Sequence, residues 1–256
     1  MAMNAHFDLQ PNQTQGPSLG SLTTEGVNPR SIAIDSMSAM EIVRLMNAED
    51  AMVSEAVSSQ SEAIAKAIAS DRGAAFVHPY DDPRVIAGQG TVGLELMAQA
   101  AAMGHTIDAV LVCCSGGGLA SGVSLAVKAA NAATAVHTVE PAGFDDFARS
   151  LAGGQRVGNS ASTGSICDAL MAQMPGERTF AIGQENFGPG LVVTDDEVRA
   201  AMRFAFDDLK LVLEPGGAAA LAAVLSGKCE AAGKTVACVL SGGNVDARQF
   251  GEIITA

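Results

Sequence analysis

The 256-residue chain is poor in aromatic residues and in positive charge. Phe, Trp and Tyr make up 4% of the sequence, with no Trp and one Tyr, so Ala, Val, Leu, Ile and Met must build the core. The chain has 15 Lys and Arg residues against 28 Asp and Glu residues, which gives a net charge of −13. Because nucleic-acid phosphates are bound by basic faces, this charge argues against a nucleic-acid partner.

Cysteine motifs and long apolar runs are also missing. The number of cysteines is odd and no C-x-x-C spacing occurs, which indicates reduced thiols and a cytoplasmic setting; they are Cys113, Cys114, Cys167, Cys229 and Cys238. No apolar run approaches the ~20 residues that span a bilayer, and no charged-then-apolar leader opens the chain. We therefore expect a soluble cytoplasmic protein without a membrane partner.

Beyond an irregular segment, the sequence alternates between helical and strand patterns. Residues 1–37 are rich in Gln, Asn, Pro, Gly and Ser and are predicted to be irregular or disordered. Ser38 and Glu41 predict a helix cap, whereas residues 51–57 and 74–80 are predicted short strands. A helix is predicted to begin at Gly90. The later strands are apolar runs, which predicts an α/β fold with a mostly parallel sheet flanked by helices.

The stretch Leu111–Gly122, LVCCSGGGLASG, places three glycines between a predicted buried strand and a predicted helix. Backbone N–H groups at such a turn point one way, and the helix dipole adds partial positive charge. Glycines also let a ligand approach closely because they lack a Cβ atom. The pattern fits either a tight turn or a phosphate cradle. It lacks the Gly-Lys-Ser/Thr of a P-loop and the spacing of a Rossmann fingerprint.

Several further segments follow the order of landmarks in one enzyme family. The glycine turn resembles the phosphate loop of the fold-type II pyridoxal-phosphate (PLP) enzymes, which include threonine and serine dehydratases and serine racemase. The segments HPYDDPRVIAGQGT, VEPAGFDD, LEPGGAAALAAVL and VLSGGNVD resemble other landmarks of that family. The resemblance covers Ser38 to Asp246. It implies a tryptophan synthase β-like fold in which residues 38–82 are the remnant of a small domain and residues 83–256 form the large PLP-binding domain.

The resemblance also implies roles for six residues. Four of them would hold the cofactor phosphate through backbone N–H groups, namely Ser115, which replaces the first glycine of the family loop, and Gly116, Gly117 and Gly118. Ser241 would hydrogen-bond the pyridine nitrogen and leave it largely unprotonated, which suits β-elimination; the alternative is a simple strand-ending turn. Glu214 would lie near the ring, and the alternative is a helix-start acid favoured by the dipole.

A metal site is implied near the strand that precedes VEPAGFDD. In some relatives the positions of Glu140 and Asp146, together with the backbone carbonyl at the position of Phe144, bind a divalent cation. Hard oxygen ligands of this kind suit Mg²⁺ or Ca²⁺. The alternative is that Glu140 and Asp146 are solvated loop carboxylates.

The catalytic lysine of the family has no counterpart in this sequence. The Ser-Phe-Lys-x-Arg-Gly segment, which carries the Schiff-base lysine, and the Ser-x-Gly-Asn-His segment, which binds the substrate carboxylate, are both missing. The lysines that are present match non-catalytic parts of the family: Lys66, Lys128, Lys210, Lys228 and Lys234. We therefore expect an incomplete fold and no catalytic residue within this chain.

Two functions are compatible with these features. One is a PLP-dependent ammonia-lyase, or dehydratase, for threonine, serine or another 3-hydroxy amino acid that has lost its N-terminal third. The other is a non-catalytic relative that binds the cofactor phosphate or a partner chain. The segment SICDALMAQMPGERTF is closer to the dehydratases than to the synthases. We expect a homo-oligomer and, if the protein is active, an amino acid substrate.

Overall fold

The computed structural model describes residues 29–255 and divides the chain into two units. One unit ends at Phe76, and the other comprises Val77–Ala256. Most of the segment predicted to be irregular, residues 1–37, lies outside the described residues, although Pro29–Ser31 and Ile34–Ser36 form short 3₁₀ turns. The assignment of residues 38–82 and 83–256 to the small and large domains of the family stays a prediction.

The first unit contains helices α1 (Ala39–Ser59) and α2 (Ser61–Asp71). The predicted cap precedes α1, because the Ser38 backbone N–H donates to Glu41 Oε2 at 2.8 Å and the Glu41 N–H donates to Ser38 Oγ at 3.4 Å. The strand predicted at residues 51–57 is wrong, since this segment continues α1. No strand forms at residues 74–80 either. All strands of residues 29–255 pair within one sheet elsewhere in the chain, so these two segments have no partner strand.

A four-stranded parallel sheet organises the second unit. Its strands are β1 (Ala109–Cys113), β2 (Ala135–Pro141), β3 (Leu191–Val193) and β4 (Val236–Val239), in the spatial order β3-β2-β1-β4. All three pairings are parallel. The prediction of an α/β fold with a parallel sheet flanked by helices is therefore confirmed.

Seven helices of the described residues accompany this sheet: α3 (Pro83–Ala102), α4 (Gly118–Ala130), α5 (Asp146–Gly153), α6 (Glu177–Asn186), α7 (Asp195–Asp207), α8 (Pro215–Leu225) and α9 (Ala247–Ile254). Helix α3 starts at Pro83 instead of at the predicted Gly90, because Asp82 Oδ1 accepts the Arg84 N–H at 2.8 Å and proline suits the first helical position. Among residues 29–255, no helix combines the length and the apolar character that a bilayer crossing requires.

The sheet is buried on both faces, which explains the unbroken apolar runs of its strands. Along β1, Val110 and Val112 pack into one hydrophobic cluster, whereas Leu111 and Cys113 pack into the other. Helix α8 lies in the second of these clusters, where small side chains allow close packing from Pro215 to Ala223. The carboxyl ends of parallel strands are the usual location of ligands in such sheets.

Candidate cofactor-binding site

The glycine turn joins the end of β1 to the start of α4. Gly117 occupies the N-cap position of α4 with a left-handed backbone (φ +95°). A Cβ atom at this position would collide with the Phe147 ring and would lie 2.9 Å from Thr179 Cβ. Only glycine fits both the conformation and the space, so the turn is held in one shape beside the first N–H groups of α4, which have no partner within the helix.

A cleft of about 490 Å³ lies beside this turn and falls in the size range of small-molecule sites. All six residues for which the resemblance implies a cofactor role line the cleft: Ser115, Gly116, Gly117, Gly118, Glu214 and Ser241. They come from three segments that are far apart in the sequence, and the carboxyl ends of β1 and β4 bring them together. The individual roles of these residues stay predictions.

Ser115 ties the glycine turn to a distant segment. Its Oγ accepts a hydrogen bond from the Ala172 N–H at 3.0 Å, just beyond the 3₁₀ turn Asp168–Leu170. The serine that replaces the family glycine therefore adds an anchor that glycine could not provide. Its hydroxyl is engaged with the protein, while the backbone of the turn still borders the cleft.

Tyr80 covers the turn from one side, a contact that the sequence analysis did not predict. A Cβ atom at Gly116 would collide with the Tyr80 ring, and one at Gly118 would lie 2.9 Å from Tyr80 Cα. The Tyr80 hydroxyl lies 3.4 Å from the carbonyl oxygen of Met174. Tyr80 belongs to the HPYDDP segment that carried the resemblance, and its aromatic ring in a family landmark is the one signal that pointed to it.

Ser241 follows β4 and lies beside Cys113 at the end of β1. The Ser241 Oγ and Cys113 Sγ atoms are 3.0 Å apart, and either can donate. Burial raises the pKa of the Cys113 thiol, and the nearby Glu214 carboxylate raises it further, so the thiol stays protonated at neutral pH. Ser241 is therefore fixed by a neutral partner, and the site adds no charge at the place where a pyridine nitrogen is predicted.

Glu214 stands at the N-cap position of α8 but does not cap it. Its carboxylate makes no hydrogen bond to the helix N–H groups. A Cβ atom at Gly242 would collide with Glu214 Oε1, so the carboxylate lies directly against the residue that follows Ser241. The Glu214 N–H donates to the Gly242 carbonyl oxygen at 3.0 Å, which keeps the two segments together.

Glu140 and Asp146 are fully buried, so the interpretation of solvated loop carboxylates is wrong. Glu140 Oε1 accepts the Phe147 N–H at 2.9 Å, and Oε2 accepts the Ala148 N–H at 2.7 Å, so this carboxylate caps α5. Asp146 Oδ1 accepts from Asn159 Nδ2 at 2.7 Å. Burial raises the pKa of Glu140 well above its usual range and that of Asp146 to about 6.

The metal site implied at these residues stays a prediction. Asp146 Oδ2 is buried and has no hydrogen-bond partner among the described residues, which leaves one hard oxygen available. Phe144 lies in the turn between β2 and α5, where its N–H donates to the Pro141 carbonyl oxygen at 3.0 Å. Within residues 29–255, no cluster of three or more His, Cys, Asp or Glu side chains could hold a metal ion. The implied site would therefore need the Phe144 carbonyl as its third ligand.

The lysines of the second unit lie away from the cleft. None of Lys128, Lys210, Lys228 and Lys234 is among the residues that line it. Each ammonium group contacts another part of the surface; Lys228 Nζ, for example, lies 2.8 Å from Glu197 Oε2 and donates to the Val192 carbonyl oxygen at 2.6 Å. Within Val77–Ala256, the cleft therefore holds the predicted phosphate loop without a lysine beside it.

Comparison with known proteins identifies the family. The family model described as "Pyridoxal-phosphate dependent enzyme" matches residues 26–242. Phenylserine dehydratase from Ralstonia pickettii is 44% identical over 184 residues, which cover 72% of this chain and 55% of that protein. Serine racemase from Arabidopsis thaliana is 39% identical over 199 residues, which cover 75% of this chain and 58% of that protein.

A solved structure agrees with these sequence relatives. A threonine deaminase from the organism abbreviated T.th. superimposes with a TM-score of 0.69 and 44% sequence identity, covering 72% of this chain and 62% of that structure. The chain spans about half the length of the curated relatives that it matches. The resemblance to fold-type II PLP enzymes is confirmed, and the chain belongs to the family of pyridoxal-phosphate dependent enzymes.

Proposed function

We propose that this chain is the cofactor-binding part of a PLP-dependent ammonia-lyase that acts on 3-hydroxy amino acids. The observation that carries the proposal is the convergence of Ser115–Gly118, Glu214 and Ser241 on one cleft. The start of α4 offers backbone N–H groups and a positive dipole end to an anion, and the left-handed Gly117 fixes their direction. These residues fit a phosphate ester attached to a flat heterocycle.

Each group in the cleft has a distinct task in this proposal. Backbone N–H groups of the turn bind the phosphate, and Ser241 donates to the pyridine nitrogen while Cys113 holds its hydroxyl in place. When bound, the cofactor supplies an electron sink for bond cleavage at the α-carbon of an amino acid. A neutral hydroxyl at the ring nitrogen keeps that sink weak, which favours β-elimination over competing reactions.

The proposed substrate class rests on the names of the relatives. They include a phenylserine dehydratase, an L-threonine ammonia-lyase from Thermotoga maritima and an L-threo-3-hydroxyaspartate ammonia-lyase from Saccharomyces cerevisiae. Threonine, phenylserine and 3-hydroxyaspartate share a hydroxyl group on the β-carbon. A 3-hydroxy amino acid is therefore the substrate class that we propose.

A non-catalytic relative is the second candidate. One observation favours it, namely that none of the four lysines of Val77–Ala256 lines the cleft. The chemistry of the family requires a lysine nucleophile at the cofactor. A chain that binds PLP and releases no 2-oxo acid from L-threonine, L-serine or phenylserine would favour this candidate over the lyase.

Three further features belong to the proposal. Glu140, Asp146 and the Phe144 carbonyl would bind Mg²⁺ or Ca²⁺, supported by the available Asp146 Oδ2. Self-association would cover apolar side chains such as Leu94 and Met103, which are 59% and 68% exposed. A cytoplasmic location would keep all five thiols reduced, as they are in the structure.

A titration with PLP tests the proposed function. The purified chain should bind PLP, and inorganic phosphate should compete with it, because both anions use the glycine turn. Pyridoxal, which lacks the phosphate, should bind more weakly. Absorbance of the bound cofactor reports each titration. A chain that binds PLP and pyridoxal equally, or that binds neither, would contradict the proposal.

A further inference from the structure

Helix α6 begins without a capping side chain of its own. Its N-cap residue is Gly176, and its first N–H groups are instead bound by a carboxylate from a distant part of the sequence. Asp81 Oδ2 accepts the Glu177 N–H at 3.1 Å, and Asp81 Oδ1 accepts the N–H groups of Arg178 at 2.9 Å and of Thr179 at 3.1 Å. Asp81 therefore fixes the position and direction of the first turn of α6.

Thr179, the third residue of α6, is fully buried and connects this helix to the glycine turn. Its Oγ1 donates to the Gly116 carbonyl oxygen at 2.6 Å, and the Gly176 N–H donates to the same oxygen at 3.2 Å. The Thr179 carbonyl oxygen accepts from Ser121 Oγ on α4 at 3.4 Å. The start of α6 thus holds both the turn and the helix that follows it.

These bonds determine the direction of one N–H group in the turn. A planar trans peptide directs its carbonyl and the next N–H to opposite sides. Because the Gly116 carbonyl points at α6, the N–H of Gly117 points away from α6. Both glycines line the cleft, and Thr179 Cβ fills the space where a Gly117 side chain would lie. The peptide therefore cannot rotate without losing two hydrogen bonds to a buried helix start.

We propose that Thr179 and Asp81 are positioning residues that preorganise the phosphate-binding turn. The inference rests on the proposed function and deepens it by naming what keeps the Gly117 N–H available to an anion. Thr179 acts directly on the Gly116 carbonyl, and Asp81 acts through the first turn of α6. Neither residue contacts the cofactor in this proposal.

The first experiment compares Thr179→Val with Thr179→Ser in the full chain. Valine keeps the branched shape and removes the hydroxyl, whereas serine keeps the hydroxyl. Thr179→Val should weaken PLP binding by about tenfold, since the Gly117 N–H that donates to the phosphate is no longer held in place. Pyridoxal binding should change by less than about twofold on the same scale, and Thr179→Ser should restore PLP binding. Equal losses for PLP and pyridoxal, or no loss for PLP, would overturn the proposal.

The second experiment removes the charge of Asp81 and uses its neighbour as the control. Asp81→Asn should weaken PLP binding in the same phosphate-dependent way, because the first turn of α6 loses an acceptor that spans three N–H groups. Asp82→Asn should bind like the wild type, since Asp82 caps α3 and asparagine also caps helices. A loss of equal size in both variants would show a general effect of charge and would overturn the role of Asp81.

Amide hydrogen exchange separates this inference from the proposed function. Thr179→Val should speed the exchange of residues 116–119 by about tenfold, and Thr179→Ser should leave it unchanged. If the wild-type chain binds neither PLP nor inorganic phosphate, the proposed function fails, and this exchange measurement alone decides whether Thr179 holds the turn. Unchanged exchange in Thr179→Val would overturn the inference in either case.

Discussion

Replacing Gly117 with alanine tests how closely the glycine turn is fitted to its surroundings. A left-handed backbone at a residue with a side chain costs about 1–2 kcal/mol, and Gly117 has φ +95°. The new Cβ would also collide with the Phe147 ring and lie 2.9 Å from Thr179 Cβ. Overpacking of this kind costs about 1–3 kcal/mol. We therefore expect Gly117→Ala to lower the free energy of unfolding by about 2–5 kcal/mol in total.

Gly104→Ala is the matched control for this prediction. Gly104 also has a left-handed backbone (φ +78°), but a Cβ atom there would meet no atom within 4 Å beyond its immediate neighbours. It should lose only the conformational part, about 1–2 kcal/mol. Urea denaturation of both variants, followed by fluorescence or circular dichroism, gives the comparison. Equal losses would refute the close fit of the turn, and a Gly117→Ala variant that still binds PLP like the wild type would refute its role as a cradle.

Three other outcomes follow from the site and the fold. Millimolar Mg²⁺ or Ca²⁺ should raise the melting temperature of the wild type but not of Asp146→Asn, because a ligand of the folded state stabilises it; equal shifts would contradict the metal site. Borohydride reduction with PLP should label no single lysine stoichiometrically, and such labelling would reveal a substitute nucleophile. Amides of β1 should exchange far more slowly than those of α2, whose described side chains are largely exposed; uniform protection would contradict the division into two units.

The parts of the fold that depend on local patterns could be predicted from the sequence. The apolar run of β1 predicts a strand buried on both faces, and the Ser38 and Glu41 pair predicts the start of α1. Local patterns failed where tertiary contacts decide. Helix α6 was not predicted, since its first turn is completed by Asp81, which lies 96 residues before Glu177 in the sequence.

The candidate site shows the same division. Resemblance to a family identified Ser241 and the glycines of the turn, because family motifs mark residues that face a ligand. It could not identify Thr179, whose hydroxyl acts on the far side of the turn. It also gave no sign that the Glu140 carboxylate caps α5, because the accepting carboxylate and the donating N–H groups become neighbours only in the folded chain.

The central claim is that the turn from Ser115 to Gly118 holds the phosphate of PLP. Backbone amide chemical shifts of the ¹⁵N-labelled chain, recorded during titration with PLP and then with pyridoxal, test it most directly. We predict that PLP shifts the amides of Ser115–Gly118 more than any others and that pyridoxal leaves them nearly unchanged. Saturating PLP that leaves these four amides unshifted, or that shifts a different surface, would contradict the account.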